Sequence, residues 1–379
     1  MTQRDLAADP LGSWRGVHVV VGGQFGSEGK GAFVAALHHR LREEGQAVMG
    51  IRVGGPNAGH TAWAGGQPYK WQQLPAFAAA ALGEDLLVIG PGSEVDEDQL
   101  RLELIWMQQS PFHGGRRLPR VLIDRSATLM LPEDADLEQA HGIQGRLGST
   151  AHGIGEARVR RIRRLADTMG TAHGGSRAPV PALDLPLGDC REELEEFLSS
   201  GGSVIVEGTQ GAGLSLHSPY YPFTTSWDCD ATTALAAAGV PAGRWRTFVW
   251  VVFRRWPIRV AGNSGPLRGE TTWEALHQPP EYTTVTGRLR RVGGWDPDLA
   301  ELARRMNGGW SPVCRPVLMM ADHGDGGLVR AGESFDPSQG SAPFAGLQSA
   351  YFLDRVIADC GNLPFAFLGT SPWTGIWRV

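Results

Sequence analysis

The chain has 379 residues, of which 42% are hydrophobic and 20% charged, as expected for a folded globular protein. The formal net charge is −5, so no global basic field indicates a protein that coats nucleic acid, and an anionic substrate must be met by local basic groups. The sequence has no run of 18 apolar residues and no apolar N-terminal stretch, so neither a membrane span nor a secretory signal is predicted. Neither nucleic acid nor a membrane is expected as a partner.

The four cysteines are far apart and form no CxxC pair, which argues against a zinc site and against a disulfide framework. They are Cys190, Cys229, Cys314 and Cys360. We expect reduced, buried thiols in a cytoplasmic protein, because disulfides are rare in that compartment.

Short β-branched runs alternate with amphipathic segments along the chain. The first run, 17–23, ends in glycines and precedes a predicted helix at 31–44. Further strands are predicted at 86–90, 120–124, 203–207, 247–253 and 316–320, and further helices at 94–108, 191–199, 297–306 and 346–359. This alternation predicts an α/β fold with a mostly parallel central sheet and flanking helices. No linker is evident, so we expect one domain over residues 1–379.

Three long segments rich in Gly, Thr and Arg interrupt this pattern, at 141–156, 208–230 and 261–296. Long loops of this kind often carry function.

The segment 22–31, GGQFGSEGKG, joins the first predicted strand to the first predicted helix. Its glycines let backbone N–H groups turn toward an anion, and the helix N-terminus and Lys30 add positive charge. The segment is not a strict Walker A motif, because it is one residue longer and Gly31 replaces the Ser or Thr that holds magnesium. We predict a P-loop-like phosphate loop.

This loop resembles GxQWGDEGKGK of the adenylosuccinate synthetases, and five further segments resemble motifs of that family in the same order. They are 55–61 (GPNAGHT, similar to NAGHT), 148–155 (GSTAHGIG, to TTGRGIGP), 207–211 (EGTQG, to EGAQG), 221–226 (YPFTTS, to YPYVTS) and 285–291 (VTGRLRR, to TTGRxRR, with Trp295-Asp296 following). The resemblance covers about residues 17–320. It implies an adenylosuccinate-synthetase-like fold and a ligase that joins L-aspartate to C6 of a purine nucleotide with a nucleoside triphosphate and Mg²⁺.

In that family the triphosphate first phosphorylates the purine O6, and the aspartate amine then displaces the phosphate at C6. The resemblance assigns His60 to O6 and the transferring phosphate, as an acid or a stabiliser of charge, and Gln210 to the Watson–Crick edge. The implied triphosphate contacts are Gly26, Glu28, Gly29, Lys30, Gly31, Asp322 and Gly369. The implied purine monophosphate contacts are Ser27, Asn57, Thr150, Arg164, Gln210, Thr225 and Val260. The implied aspartate contacts are Val285, Thr286, Arg288 and Arg290, and Mg²⁺ would be held at Ser27 and the Gly59 carbonyl.

The basic run 158–164, RVRRIRR, is usually typical of a solvated face. Register with the family instead places Arg164 where one subunit reaches its partner's nucleotide phosphate. The resemblance therefore implies a homodimer with shared active sites.

Ser27 departs from the family, whose loop has an aspartate at this position that acts as the N1 base and as a magnesium ligand. Either the protein has lost catalytic activity, or its substrate differs from that of the family. An aspartate beside N1 would crowd the 2-amino group of guanine, whereas serine leaves space and can accept a hydrogen bond from it. The same serine resembles the phage-type (PurZ) branch of the family, which converts dGMP, aspartate and ATP into 2-amino-2′-deoxyadenylosuccinate, a precursor of 2-aminoadenine in phage DNA.

We favour the changed substrate, dGMP, because the other chemical groups are present. The alternatives are a conventional ligase acting on IMP and a nucleotide-binding regulator without turnover. The N1 base remains open between Glu28, the phosphate and water. If the chain is phage-encoded, the expected location is the host cytoplasm.

The second departure concerns the triphosphate donor. The family reads GTP with a (T/N)KxD motif, but here Met320 replaces the lysine while Asp322 is retained. We therefore expect ATP or dATP as the donor. The loop 369–372 is a candidate cover for the donor base.

Overall fold

The computed structural model describes residues 14–113, 115–173, 179–180, 185–283, 287–321, 356, 358–360, 366–369 and 375–377. Within them the strands are β1 (Val17–Gly22), β2 (Val48–Arg52), β3 (His60–Ala64), β4 (Gln67–Trp71), β5 (Leu86–Ile89), β6 (Glu94–Val95), β7 (Arg120–Asp124), β8 (Thr128–Leu129), β9 (Pro179–Val180), β10 (Leu185–Gly188), β11 (Ser203–Glu207), β12 (Thr247–Arg254), β13 (Ile258–Arg259), β14 (Arg291–Val292), β15 (Cys314–Met319), β16 (Phe367–Gly369) and β17 (Gly375–Trp377). The α-helices are α1 (Lys30–Glu43), α2 (Glu97–Gln109), α3 (Pro132–Ala140), α4 (Ile143–Leu147), α5 (Ile154–Ile162), α6 (Met169–Ala172), α7 (Cys190–Ser199), α8 (Ala231–Ala237) and α9 (Pro297–Met306).

The main sheet has the strand order β17-β16-β15-β12-β1-β11-β2-β5-β7-β10-β9. Neighbours from β16 to β10 pair in parallel, whereas β17 and β9 are antiparallel additions at the two edges. The prediction of a mostly parallel sheet with flanking helices is confirmed. Strand β1 lies between β11 and β12 in the sheet. The loops that follow these three parallel strands therefore lie at the same carboxyl edge, which is where α/β sheets bind ligands.

Both faces of the sheet are covered, so its central strands β1, β2 and β11 are buried along their whole length. Helix α1 packs Phe33, Val34, Leu37 and Leu41 into the cluster on one face. Helices α7, α8 and α9 contribute buried side chains to the cluster on the other face. This arrangement fixes β1 and α1, and with them the loop that joins the two.

Most predicted strands and helices are present with ends shifted by a few residues, but the predicted helix 94–108 is wrong at its start. Glu94–Val95 is instead the short strand β6, which pairs with Thr128–Leu129. Asp96 then caps α2, because its carboxylate accepts the backbone N–H groups of Asp98 and Gln99, each at 3.1 Å. The predicted helix 346–359 falls mostly outside the described residues.

The pattern also missed strand β2, which lies between β11 and β5. Its sequence, VMGIR, contains a glycine and a charged residue, so the apolar run is too short to stand out. A Cβ at Gly50 would lie only 2.6 Å from Cζ of Phe77, and the glycine therefore makes room for that ring.

The loops 141–156 and 261–296 contain more regular structure than predicted. The first contains α4 and the start of α5, and the second contains β14. Segment 208–230 holds only a 3₁₀ turn at Ala212–Leu214.

All four cysteines are buried and unpaired, as predicted. Burial raises the pKa of the Cys229 thiol to about 12 and that of Cys314 to about 11, so these thiols stay protonated near neutral pH. In the described part of the chain, none of the helices has the length and apolar character needed to span a bilayer. We propose that the chain is one domain, because the main sheet takes strands from Val17 to Trp377.

Candidate active site

The phosphate loop connects β1 to α1 at the carboxyl edge of the sheet. Glu28 is fully buried beneath it and organises it from inside. Its Oε1 accepts the backbone N–H groups of Gln24 at 3.1 Å and Gly26 at 2.7 Å, and its Oε2 lies 2.6 Å from Lys30 Nζ. Both carboxylate oxygens are therefore engaged, and the positive charge of Lys30 is already paired within the loop.

The segment 207–211 packs directly against this loop. Lys30 Nζ donates to the Gln210 carbonyl at 2.5 Å. A Cβ on Gly22 would lie 2.2 Å from that carbonyl oxygen, and a Cβ on Gly211 would lie 2.4 Å from Glu28 Oε1. Only glycine allows the two backbones to approach so closely. The two motifs therefore form one wall of the site.

His60 begins β3 and is held by two buried charged residues. Its Nδ1 contacts the Glu207 carboxylate, and Arg52 Nη1 lies 3.2 Å from both ring nitrogens. Glu207 Oε2 also accepts the backbone N–H of Ala76 at 2.8 Å. Burial, reinforced by the positive charge of Arg52, lowers the pKa of His60 to about 4 despite the opposing effect of Glu207. His60 is therefore a neutral imidazole that donates from Nδ1 to Glu207 and accepts at Nε2.

Gly31 brings His60 to the N-terminus of α1. A Cβ at Gly31 would lie 2.7 Å from the Thr61 carbonyl oxygen and 3.1 Å from Cβ of His60. The Ser or Thr of a Walker A motif does not fit here, which gives the departure at Gly31 a steric reason. His60 consequently lies beside the phosphate loop.

Gln210 lies on the same wall, in a left-handed conformation with φ of 60°. Its Oε1 accepts the indole N–H of Trp227 at 3.3 Å, while its amide NH₂ has no partner among the described residues. Arg158 of α5 stacks 4.2 Å from the Trp227 ring and donates to Ser226 Oγ at 3.1 Å and to Glu94 at 2.7 Å. Gln210 is thus oriented through its Oε1, while its amide NH₂ can donate to a ligand.

The segment 148–155 meets the segment after β13. A Cβ at Gly148 would lie 2.9 Å from Cβ of Ser264 and 3.3 Å from Cγ2 of Val260, and Ser264 Oγ donates to the Val260 carbonyl at 2.5 Å. Thr150, like Asn57, Gly59 and Thr225, is half-buried and so partly accessible to a ligand.

The predicted aspartate clamp is described only in part, because Val285 and Thr286 lie outside the described residues. Arg288 is exposed, whereas Arg290 is half-buried and its Nη1 lies 3.3 Å from Glu281 Oε2. Burial lowers the pKa of Arg290, and the Glu281 charge opposes that effect.

On the donor side, Met319 lies between the phosphate loop and β16. Its side chain is 3.1 Å from where a Cβ of Gly29 would lie and 2.8 Å from where a Cβ of Gly369 would lie. The Ala321 N–H donates to the Gly369 carbonyl at 2.9 Å. Gly369 is therefore close to the loop, while Asp322 and the loop beyond Gly369 fall outside the described residues.

The basic run 158–164 is half-buried over residues 158–160 and exposed over residues 161–164. Arg158 and Arg160 form half-buried ion pairs with Glu94 and Asp134 at 2.7 and 2.6 Å. Arg164, just past the end of α5, is exposed and donates to the Ile162 carbonyl of its own chain at 2.7 Å. The helix thus carries one arginine toward the site and another away from it.

Sequence reasoning missed several charged residues around the site, namely Arg52, Arg158, Arg254 and Glu281. Arg52 and Arg254 each end an apolar strand, and a charged residue at the carboxyl end of a buried parallel strand is a usable signal for a site. Glu281 stands in a polar loop and carries no comparable signal.

Comparisons with known proteins identify the family of the chain. The sequence matches the adenylosuccinate synthetase family over residues 19–174 and 181–315. Adenylosuccinate synthetase of Thermococcus sibiricus is 34% identical over 295 residues, covering 77% of this chain and 80% of the relative. That of Methanococcus maripaludis strain C5 is 35% identical over 294 residues, covering 76% and 81%.

Solved structures of two proteins illustrate the similarity in fold. Succinoaminodeoxyadenylate synthetase (PurZ) of cyanophage S-2L, bound to dGMP and to dATP as an energy donor, aligns with a TM-score of 0.74 at 25% identity, covering 94% of this chain and 93% of that one. Fully ligated adenylosuccinate synthetase of Plasmodium falciparum aligns with a TM-score of 0.75, covering 96% and 100%, and at 17% identity it supports the fold alone.

The family match gives the class of protein, a ligase that forms a C–N bond. The chain belongs to the adenylosuccinate synthetase family, whose members join aspartate to a purine nucleotide.

Proposed function

We propose that this protein joins L-aspartate to C6 of dGMP, using ATP or dATP, to give 2-amino-2′-deoxyadenylosuccinate, ADP or dADP, and phosphate. The observation that carries the proposal is Ser27 in the phosphate loop, where the family has an aspartate. The cyanophage neighbour, bound to dGMP, supports the same substrate, while the archaeal relatives favour IMP as the alternative. The product would supply 2-aminoadenine nucleotides in a phage-infected cell.

The surroundings of Ser27 fit a role at the purine. Arg254 Nη1 holds its carbonyl at 3.1 Å, so the backbone position is fixed. The side chain is exposed, and its hydroxyl has no partner among the described residues. A hydroxyl at this place can accept from a guanine 2-amino group without the bulk and charge of a carboxylate.

The remaining roles follow from the site. Lys30, the helix N-terminus and loop residues Gly26, Gly29 and Gly31 bind the triphosphate, with Gly369 beside them. Gln210 reads the purine edge with its free amide. Arg288 and Arg290 bind the aspartate carboxylates, for which a planar guanidinium is suited. Thr150, Thr225, Asn57 and Val260 contact the nucleotide phosphate and sugar.

The N1 proton has three candidate acceptors, and the structure bears on one of them. Glu28 is fully buried, and its two oxygens are taken by loop N–H groups and by Lys30. A carboxylate in this state cannot reach substrate without dismantling the loop. We therefore propose that phosphate or water takes the N1 proton, while Glu28 shapes the loop.

Mg²⁺ is expected from the family. The candidate ligands, the Gly59 carbonyl and Ser27 Oγ, are both oxygens, and Mg²⁺ commonly adds waters and substrate phosphates to one or two protein ligands. No group of three His, Cys, Asp or Glu residues that could hold a metal by itself occurs in the described ranges. The donor set therefore fits an ion brought with the triphosphate, whose charge it would neutralise.

We expect the Ser27→Asp variant to lose the preference for dGMP. In the wild type, kcat/KM for dGMP should exceed that for IMP by at least about 10-fold, the scale of one unfavourable contact in a binding pocket. Introducing the carboxylate should lower dGMP turnover and narrow or reverse this ratio, measured as aspartate-dependent phosphate release. The matched control is Ser27→Ala, which removes the hydroxyl but keeps the space; dGMP should remain the better substrate, with a smaller ratio because the hydrogen bond to the 2-amino group is lost. A ratio unaffected by Ser27→Asp would contradict the assignment of Ser27.

The donor should be ATP or dATP rather than GTP, because Met320 stands where the family has its guanine-reading lysine. Met320 has a left-handed backbone conformation, with φ of 54°, and strand β15 ends at the residue before it. At saturating dGMP and aspartate, kcat/KM for ATP should exceed that for GTP by at least about 10-fold. A clear preference for GTP would refute this prediction.

We propose a homodimer and a cytoplasmic location, the host cytoplasm if the gene is carried by a phage. Ile162 and Leu165, on either side of Arg164, are 69% and 72% exposed, which fits a surface that a second subunit covers. The four buried free thiols fit a reducing compartment.

A further inference from the structure

Glu281 lies between two arginines that belong to different parts of the site. Arg254, at the end of β12, approaches Glu281 Oε2 with Nη1 at 3.1 Å and contacts Oε1 with Nη2. Arg290 approaches the same Oε2 with Nη1 at 3.3 Å. One carboxylate oxygen is therefore shared by two guanidinium groups.

Arg254 is also built into the phosphate loop. Its side chain is fully buried and donates to the Ser27 carbonyl at 3.1 Å. Its backbone N–H donates to Gln24 Oε1 at 3.0 Å, and its carbonyl accepts from Gln24 Nε2 at 3.1 Å. The guanidinium that Glu281 holds is thus the group that holds the Ser27 carbonyl, while the backbone of Arg254 is fixed against Gln24 on the other side of the loop.

We propose that Glu281 is a positioning residue that couples occupancy of the aspartate clamp to the donor site, by sharing its carboxylate between Arg290 and the loop-bound Arg254. This inference rests on the proposed function, because it takes Arg290 as part of the clamp.

The coupling follows from a charge count. Two arginines and one glutamate leave this cluster with a net charge of +1, at side-chain exposures of 0% for Arg254, 23% for Glu281 and 15% for Arg290. A carboxylate of bound aspartate neutralises the cluster and draws Arg290 away from Glu281. Glu281 is then shared less with Arg290, which strengthens its pair with Arg254 and the hold on Ser27. Since binding linkage is reciprocal, the donor should in turn tighten aspartate.

The test measures the dissociation constant of a non-hydrolysable ATP analogue by calorimetry, with dGMP and Mg²⁺ present, with and without saturating L-aspartate. In the wild type, aspartate should tighten the analogue by about 5-fold or more, the lower range of measured couplings. In Glu281→Gln, each ligand should still bind, but aspartate should change the analogue's dissociation constant by less than about 2-fold.

Glu270→Gln is the matched control. Glu270 pairs with Arg291, the residue after Arg290, at 2.6 Å and makes no contact with Arg254. Loss of this exposed pair should leave the coupling at its wild-type value. A merely structural role for acidic residues near the clamp would instead affect both variants.

The carboxylate position can be tested separately from its charge. Glu281→Asp keeps the charge but is one methylene shorter, so it cannot bridge both arginines, and it should also lose the coupling. It replaces Glu281→Gln if that variant does not fold.

The outcomes are distinguishable. Full coupling in both Glu281 variants, or no coupling in the wild type despite normal aspartate-dependent turnover, overturns this inference and leaves the proposed function standing. Failure of the wild type to bind or use aspartate overturns both.

Discussion

His60→Ala should lower kcat by about 100-fold or more while leaving the KM for dGMP within about 3-fold of wild type, as expected when a group that acts on the transferring phosphate is lost. The side chain lies beside the N-terminus of α1 and is fixed by Glu207 and Arg52. Initial rates of phosphate release over a range of dGMP concentrations separate kcat from KM.

The structure also restricts how His60 can act. With Nδ1–H directed at Glu207, a neutral ring offers Nε2 only as an acceptor, which suits neither an acid nor a donor to O6. Negative charge brought by the phosphates favours a second proton on the ring, and Glu207 stabilises that cation. His60→Gln, which keeps a hydrogen-bond donor but carries no titrating proton, should therefore recover only a small part of the activity.

His38 provides the matched control for this mutation. It is also buried and pairs with a carboxylate, Asp85, at 3.0 Å, but on α1 its ring stacks on Phe77 rather than lying at the phosphate loop. His38→Ala should lower the melting temperature without lowering kcat. Near-normal turnover in a folded His60→Ala variant would show that His60 is only structural.

Mixing two impaired variants, His60→Ala and Arg164→Ala, should restore activity if the sites are shared. Arg164 is exposed, past the end of α5, and contacts only its own backbone among the described residues, while Arg158 of the same helix faces the site of its own chain. If Arg164 reaches the partner's nucleotide phosphate, one site of a mixed dimer carries both defects and the other carries none. The assay is run at dGMP concentrations below the KM of Arg164→Ala.

The expected recovery is about a quarter of the wild-type rate, because equal mixing of a two-fold dimer gives about one half heterodimers with one intact site in two. The control mixes His60→Ala with Lys30→Met, two changes that belong to the same chain's site, and it should restore nothing. If heterodimers demonstrably form and the Arg164 mixture also stays inactive, Arg164 acts within its own chain.

The sequence was most informative where apolar runs are long and unbroken. Strands β1, β11 and β12 and helices α7 and α9 follow from their patterns because both their type and their limits are set by burial. Strand β2 did not follow, because Gly50 serves the ring of Phe77, a contact that no local pattern contains. The predicted start of α2 was wrong, because Asp96 caps the helix and Glu94–Val95 pairs as a strand.

The candidate active site, like the fold, could be predicted only in part from the sequence. The motifs identified the segments that meet at the carboxyl edge, since each is a local run of residues. They did not show that both carboxylate oxygens of Glu28 bond within the loop, that Arg158 forms an ion pair with Glu94, or that Glu281 bridges two arginines. The contacts of Glu28 are local in sequence but depend on how the loop turns. The other two features depend on residues far apart in sequence, such as Arg254 and Glu281, and only the fold brings them together.

The most direct test of the proposed function is one comparison on the wild-type enzyme: kcat/KM for dGMP and for IMP at saturating L-aspartate, ATP and Mg²⁺, with each product identified by mass. We expect dGMP to be the better substrate by at least about 10-fold, and its product to be the succino adduct that retains the 2-amino group. An equal or greater kcat/KM for IMP, or phosphate release that does not depend on aspartate, would contradict the account.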